Sequence, residues 1–395
     1  MLQIKKGRHA GPFKIKSIRK KTDVECTSSA ACCSSEALHD TDKTPCCGPH
    51  TSKGGGTITD KVPGFIEWLD TPGGPVPHIA SELCFADHLG ACKARWGIGR
   101  MEFIVPPGLY AIGHPSSADP VLVTANYKMS YDLVRQSLAG RNVWLLVLET
   151  YGINVWCAAG KGTFGTGELV RQIKATGLYK VVSHRRLILP ILGAPGVAAH
   201  EVAGRTGFRV SYATIRCSDL PVYLDNGLIT TPEMRQLTFT LYERLVLVPI
   251  ELVTGLKSLA IVGAVVLLLY ALGSPAAGIS GFCAYLGAWL FGVVIGPLLL
   301  PWLPGRSFAV KGAVVGLIWS WLFYVLACGA GWNVAFTAAI FLALPAVSAF
   351  YTFNFTGCSP YPSRSGVKKE MRIALPAMGC ALIASLILLV VGSLS

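Results

Sequence analysis

The stretch Asn154-Val155-Trp156-Cys157-Ala158-Ala159-Gly160-Lys161-Gly162, followed by Thr163-Phe164-Gly165-Thr166-Gly167, decides how this chain is read. It follows the apolar run Val143-Trp144-Leu145-Leu146-Val147-Leu148, which reads as a buried strand. It precedes Glu168-Leu169-Val170-Arg171-Gln172-Ile173-Lys174, which reads as a helix. A strand, a small-residue loop and a helix make a ligand-binding corner. This corner holds one cysteine between a tryptophan and two alanines, with Lys161 four residues on.

Outward from it the pattern alternates. Residues 120–124 read as a strand, 130–139 as a helix capped by Ser130, and 142–148 as a strand. Beyond the corner, a helix is expected over about 167–176 and strands over 178–182 and 186–190. The turn Gly193-Ala194-Pro195-Gly196 leads to a helix near 197–204, and 208–212 is a further strand. Strands alternating with helices predict an α/β, Rossmann-like domain with a mostly parallel sheet, whose ligands bind outside the carboxyl ends of the strands. The Cys157 loop lies at such an end. Residues 61–118, rich in Pro and Gly, read as the lead-in and partial wall of this domain, with Cys84 and Cys92 as buried small hydrophobes. Thr231-Pro232-Glu233 predicts the start of a helix running toward the second half, with Thr231 as N-cap.

The 395 residues are unevenly composed. Only Glu251 and Glu370 are acidic after position 245, and all eight histidines precede it. Apolar stretches near 245–272, 279–303, 308–327, 334–355 and 373–394 are each about long enough to span a bilayer, so an all-α domain of five transmembrane helices is expected. Two of their links carry no charge, whereas the other two carry Arg306 and Lys311, then Arg364, Lys368, Lys369 and Arg372. The positive-inside bias places those links, and the front half with them, on the cytoplasmic side of the inner membrane. With no histidine and few acids, these helices lack the buried ionisable chain of an ion-coupled transporter, which leaves anchoring and partner docking.

The expected division is a leader over 1–60, a soluble domain over 61–244 and a membrane domain over 245–395. The leader lacks hydrophobic periodicity and the apolar core of a secretory signal, and reads as disordered. Its basic arm, Lys5 to Lys21, supplies much of the net charge of +13 and suits a solvated tail or anionic lipid; nucleic acid is not the expected partner. Its vicinal pairs Cys32-Cys33 and Cys46-Cys47 offer soft thiolates to a soft metal such as mercury, or are incidental to a mobile tail. They lack the spacing of an iron–sulfur cluster, so no intrinsic cluster is expected.

Spacing separates several readings of the corner. Gly160-Lys161-Gly162-Thr163-Phe164-Gly165 fits G-x-G-x-x-G, but the acid expected about 20 residues on is missing. A phosphate loop fails because Gly162 follows Lys161 where Ser or Thr belongs. A nucleophilic cysteine needs a base, and the nearest histidine in sequence is His184. An inert buried cysteine stays open as well. If the loop is helical, Lys161 lies one turn from Cys157 and favours its thiolate.

Asn154 to Lys161 also matches the cap-helix signature N-(V/I)-W-C-A-(A/G)-G-K, and the chain thereby resembles the HgcA family of mercury-methylating corrinoid proteins. The soluble part resembles the corrinoid-binding domain of the corrinoid iron–sulfur protein of the acetyl-CoA pathway. The likeness extends over roughly 100–395, including the segment from Asn354-Phe355-Thr356-Gly357-Cys358 to Ser365-Gly366-Val367, and omits the leader.

The resemblance implies a corrinoid-dependent methyltransferase that forms methylmercury. Its cofactor is cobalamin or a related corrinoid, with Cys157 as the lower axial ligand of cobalt. It also implies methyl transfer as a carbanion equivalent to mercury(II), for which a soft anionic thiolate is a suitable opposite ligand. The histidine-supplying motif D-x-H-x-x-G is absent. Around Cys157, the residues Asn154, Val155, Trp156, Ala158, Ala159, Gly160, Lys161 and Gly162 would form the cap against the corrin. Thr124, Asn126, Thr163, Gly193, Ala194 and Gly196 are assigned to the groove for its tail, or serve only as turn residues. A small iron–sulfur ferredoxin, HgcB-like, is the implied electron donor, and a methylated-folate system the implied methyl donor. The alternatives are a corrinoid methyl carrier for another acceptor, and a non-enzymatic membrane protein whose thiols bind metals.

Overall fold

In the middle of the chain, strand after strand alternates its side chains between two separate cores. The computed structural model describes residues 62–394 except 273, 274 and 362, so the leader with Cys32, Cys33, Cys46 and Cys47 lies outside the described residues. The first elements are strands β1 (Phe65–Thr71) and β2 (Gly74–Ile79), helix α1 (Phe85–Arg95) and strand β3 (Gly108–Ile112). Then come β4 (Val121–Ala125), α2 (Lys128–Ser137), β5 (Val143–Leu148), α3 (Val155–Lys161), α4 (Thr166–Ala175) and α5 (Leu178–Val181). Strand β6 (Arg186–Leu189), α6 (Ala199–Thr206), β7 (Arg209–Tyr212) and α7 (Leu220–Asp225) complete this part.

The seven strands form one sheet in the order β1-β2-β3-β5-β4-β6-β7. β5, β4, β6 and β7 are mutually parallel neighbours, whereas β3 runs antiparallel to β5 and β1 antiparallel to β2. The period of two along β5 is complete. Trp144, Leu146 and Leu148 enter the core shared with α4 and α6, while Val143, Leu145 and Val147 enter the core shared with α2 and α7. Such a strand is buried on both faces, as a parallel sheet with helices on both sides requires.

Several elements differ from the expectations. The helix after β4 begins at Lys128 behind an extended Tyr127, so Ser130 lies inside its first turn and caps nothing. Residues 178–181 are a helical turn instead of a strand. Gly177, at φ 59°, turns the chain, and Leu178 and Val181 meet the core at helical spacing, which outweighs their strand propensity. Residues 61–118 are an integral part of the sheet, and Cys84 and Cys92 are exposed on the rim of α1.

Arg135, fully buried, ties α2 to the lead-in. It donates to Asp132 Oδ1 at 2.9 Å, Asp87 Oδ2 at 2.6 Å and the carbonyls of Ala80 and Glu82, while Lys128 bridges the same two carboxylates. Every charge in this buried cluster therefore has a partner.

Thr231 starts no long helix. A single turn at Glu233–Arg235 is followed by extended chain, and the next helix, α8 (Leu241–Leu245), is capped by Thr240 in a reciprocal box with Glu243. The remaining helices are α9 (Val248–Leu272), α10 (Pro275–Leu290), α11 (Gly296–Leu299), α12 (Phe308–Leu326), α13 (Val334–Asn354) and α14 (Arg364–Leu394). Among the described residues, five spans, Leu241–Val265, Gly278–Leu299, Phe308–Leu326, Val334–Cys358 and Ser365–Leu394, are long and apolar enough to cross a membrane. Lys368, Lys369 and Arg372 lie on the first turns of α14 instead of in the preceding link. The described residues cluster as one compact unit.

Small residues let the helices approach. A Cβ on Gly312 would come within 2.6 Å of Ala349 Cα, and one on Gly316 within 2.5 Å of Pro345 Cα, so α12 lies backbone to backbone on α13.

Candidate functional site

Strand order reverses between β4 and β6. β5 follows β4 on one side and β6 returns on the other, which makes the crevice between their carboxyl ends the topological switch point of the sheet. A cavity of about 330 Å³ lies there, lined by Thr124 from β4, Leu189 and Pro190 from β6, and Ala213 and Thr214 after β7. Asn154, Val155 and Trp156 supply another part of its wall. Larger cavities occur at the amino ends of β4 and β5 and among the apolar helices, but neither adjoins the Cys157 corner.

The corner itself is helical. Asn154 has an extended backbone, and its Oδ1 accepts the N–H of Cys157 at 2.9 Å, starting α3 with a side-chain cap. The helix is short because Gly162 adopts φ 84°, a left-handed conformation that glycine takes without steric cost. Ala158 O then accepts the N–H groups of Thr163 at 3.0 Å and Phe164 at 3.2 Å, closing the end. The residues divide by face. Ala158 and Ala159 are buried in the sheet core, whereas Trp156 is 41% exposed, Cys157 half-buried, and Gly160 and Lys161 exposed. A free thiol is thus presented at the surface of a helix whose rear is fixed by packing.

The turn after β6 holds this helix in place. It is a short 3-10 segment, Ile191–Gly196, and it lies against α3. A Cβ on Gly193 would come within 2.5 Å of the Phe164 ring, and one on Gly196 within 3.0 Å of Ala159 Cα, so both glycines are used for close approach. Ala194 between them is half-buried. Asn126 is wholly buried, and its amide is consumed within the loop after β5. It donates to Glu149 Oε1 at 2.6 Å and accepts from Thr150 and Gly152. It fixes the approach to the cap helix. Thr163 hydroxyl contacts only Ala158 O, at 3.4 Å.

Of the groove residues read from sequence, Thr124 alone lines the cavity with the start of α3. His184 is not a base for Cys157. It precedes β6, where its ring bonds Asp119 O at 2.8 Å and Arg186 N at 3.2 Å, at the opposite end of the sheet from α3.

The last link between apolar helices supplies residues that local sequence did not assign to the cavity. Cys358 and Pro360 line it together with Trp156, and Cys358 Sγ donates to Glu251 Oε1 at 2.9 Å. The contact joins positions far apart in the chain, and the only local signal was the family likeness of the segment beginning at Asn354. Cys217, on the far wall, sits among apolar side chains, and burial pushes its thiol up to about 11.

Residues 100–222 match the family described as CO dehydrogenase/acetyl-CoA synthase delta subunit. The chain is also related to gamma subunits of acetyl-CoA decarbonylase/synthase complexes. It is 38% identical over 133 residues to that of Methanopyrus kandleri, covering 33% of this chain and 28% of the subunit. It is 33% identical over 125 residues to that of Methanocaldococcus jannaschii, covering 31% and 25%. With that of Archaeoglobus fulgidus it is 36% identical over 108 residues, covering 27% and 23%. The chain therefore spans about a quarter of the length of these relatives.

Proposed function

We propose that this chain is a membrane-anchored, corrinoid-dependent methyl carrier of the HgcA kind, which delivers its methyl group to mercury(II) and would hold the corrinoid cobalt through the Cys157 sulfur. One observation carries the reading: a free, half-buried thiol stands on a capped helix of small residues beside the switch-point cavity. The donor set suits the group. A thiolate is a soft ligand for a transition metal, and the exposed side of α3 carries Trp156, Gly160 and Lys161 around it.

A bound corrinoid supplies a cobalt-held methyl group that can leave as a carbanion equivalent. The chain's own residues do the positioning. Asn154 fixes the first turn of α3 and thereby the direction of the Cys157 Cα–Cβ bond. Ala158 and Ala159 anchor the helix to the sheet. The cleft between Thr124, Pro190 and Thr214 would hold the polar tail, and Trp156 with Pro360 would close part of that cavity to water. Electrons would come from an iron–sulfur ferredoxin in trans, and the methyl group from a methylated-folate system. The five apolar helices anchor the protein in the cytoplasmic membrane, with the sheet domain on the cytoplasmic side by the charge bias of the links.

The test is the purified chain. A corrinoid spectrum that survives purification, changes on Cys157→Ala, and accompanies methylmercury formation with the reduced ferredoxin supports the reading. A colourless protein that cannot be loaded with cobalamin refutes it. A second reading, a methyl carrier for an acceptor other than mercury, is favoured by the relatedness of residues 100–222 to subunits of acetyl-CoA-forming complexes. It predicts the same spectra and no methylmercury.

A further inference from the structure

At the other end of the sheet, three side chains converge that the proposed function does not use. Glu67 on β1 and His78 on β2 are direct partners across the antiparallel ladder, and His114 follows the end of β3. Each offers one donor atom, and the three atoms lie within 4.8 Å of one another. His78 is 8% exposed, and its Nδ1 is 3.4 Å from Glu67 Oε1. The rings of His78 and His114 are 4.9 Å apart. We propose that Glu67, His78 and His114 form a three-ligand site for a divalent cation of borderline softness, with zinc(II) as the type.

Distances favour the assignment. Tetrahedral zinc with bonds of about 2.0–2.1 Å holds its ligand atoms roughly 3.3–3.4 Å apart, and the Glu67–His78 separation already has that value. Closing the rest from 4.8 Å to 3.4 Å needs a movement of at most about 1.4 Å, within reach of the rotamers of two exposed side chains, Glu67 and His114. An ion pair between Glu67 and His78 has no use for a second imidazole, whereas a metal does.

The backbone is prepared for the set. His78 sits on a strand paired on both sides, and His114 N–H donates to Asn142 Oδ1 at 3.0 Å, which fixes the turn that carries it. Three protein ligands leave a fourth position for water. A set of two nitrogens and one oxygen prefers zinc to a soft thiophilic ion. β3 is antiparallel to β5, and Ile112 pairs with Val143 at the amino end of β5, so the triad is remote from Cys157 beyond the carboxyl end. Its effect would be to tie the β1–β2 hairpin to the rest of the sheet.

Cobalt(II) is the probe, added to the full chain purified in detergent and free of corrinoid. The triad should give visible d–d bands of a tetrahedral nitrogen/oxygen site, saturating at one equivalent and displaced by zinc. Thiolate sites differ by their intense near-ultraviolet sulfur-to-cobalt transfer bands. His114→Ala and Glu67→Gln, both at exposed positions, should each lose that equivalent, whereas Cys157→Ala should keep it. Absence of the bands in the unmodified chain, or equal amplitude in His114→Ala, would overturn the proposal.

Discussion

Asn154 Oδ1 accepts the backbone N–H of Cys157 at 2.9 Å, so the residue that starts the cap helix also orients the residue proposed to bind cobalt. Removing an N-cap of this kind costs about 1 kcal/mol. Asn154→Ala should therefore speed hydrogen exchange at the Cys157 amide and weaken corrinoid retention, while Asn154→Ser or Asn154→Asp restores most of both. Equal retention in Asn154→Ala and the parent would show that the cap plays no part in the site.

Two cysteines near the cavity should differ in reactivity. Burial pushes the Cys217 thiol up to about 11, so it stays protonated and slow at neutral pH. Cys157 is half-buried on an exposed helix face. Iodoacetamide at pH 7.5, about three units below the Cys217 value, should modify Cys157 and leave Cys217 intact. Labelling at Cys217 should rise only as the pH approaches 11. Peptide mass mapping reads both, and bound corrinoid should protect Cys157 alone.

The parallel strands were legible because they are buried on both faces, and nothing on them competes with the apolar run, as at Val143 to Leu148. The cap helix was legible because its chemistry is local: an asparagine before it, a glycine after it and a cysteine in between. Tertiary contacts hid the rest. Leu178 and Val181 look like strand residues until Gly177 turns them onto the core. Pro75 and Pro77 argue against a strand, yet β2 accepts them because they pair with β1 alone, β3 pairing only with His78 and Ile79. Cys358 reaches the cavity by packing between distant segments, which no local pattern records.

The buried network at α2 makes a pH prediction. Burial works against the Asp87 carboxylate, but bonds from Lys128 and the Cys84 N–H, with the charges of Lys128 and Arg135, hold it well below its ordinary 3.8. A folded-state value below the unfolded one contributes stability that is complete above about pH 4 and is lost as the pH falls through the folded value. Asp87→Asn should cost about 3–5 kcal/mol at neutral pH, because it leaves the two buried cations Arg135 and Lys128 with the single carboxylate of Asp132. Thermal unfolding should show the gap between variant and parent constant from pH 7 to 5. It should narrow only in stronger acid; a gap already closing at pH 6 would assign the effect to another group.

Gly196 and Gly193 both meet the cap-helix region, but the atoms they meet differ. A Cβ on Gly193 would strike the Phe164 ring, which can tilt away. A Cβ on Gly196 would overlap the Phe164 carbonyl oxygen and approach Ala159 Cα at 3.0 Å. Both of those are backbone atoms of α3 and the loop after it, so the helix itself must move. Overpacking of this sort costs about 1–3 kcal/mol even where neighbours relax, and here relaxation displaces Cys157 relative to the switch-point crevice. Gly196→Ala should lower corrinoid retention more than Gly193→Ala, with the circular dichroism of the sheet unchanged in both. The opposite order would mean that the ring of Phe164, and not the seat of the cap helix on the turn, governs the geometry of the site.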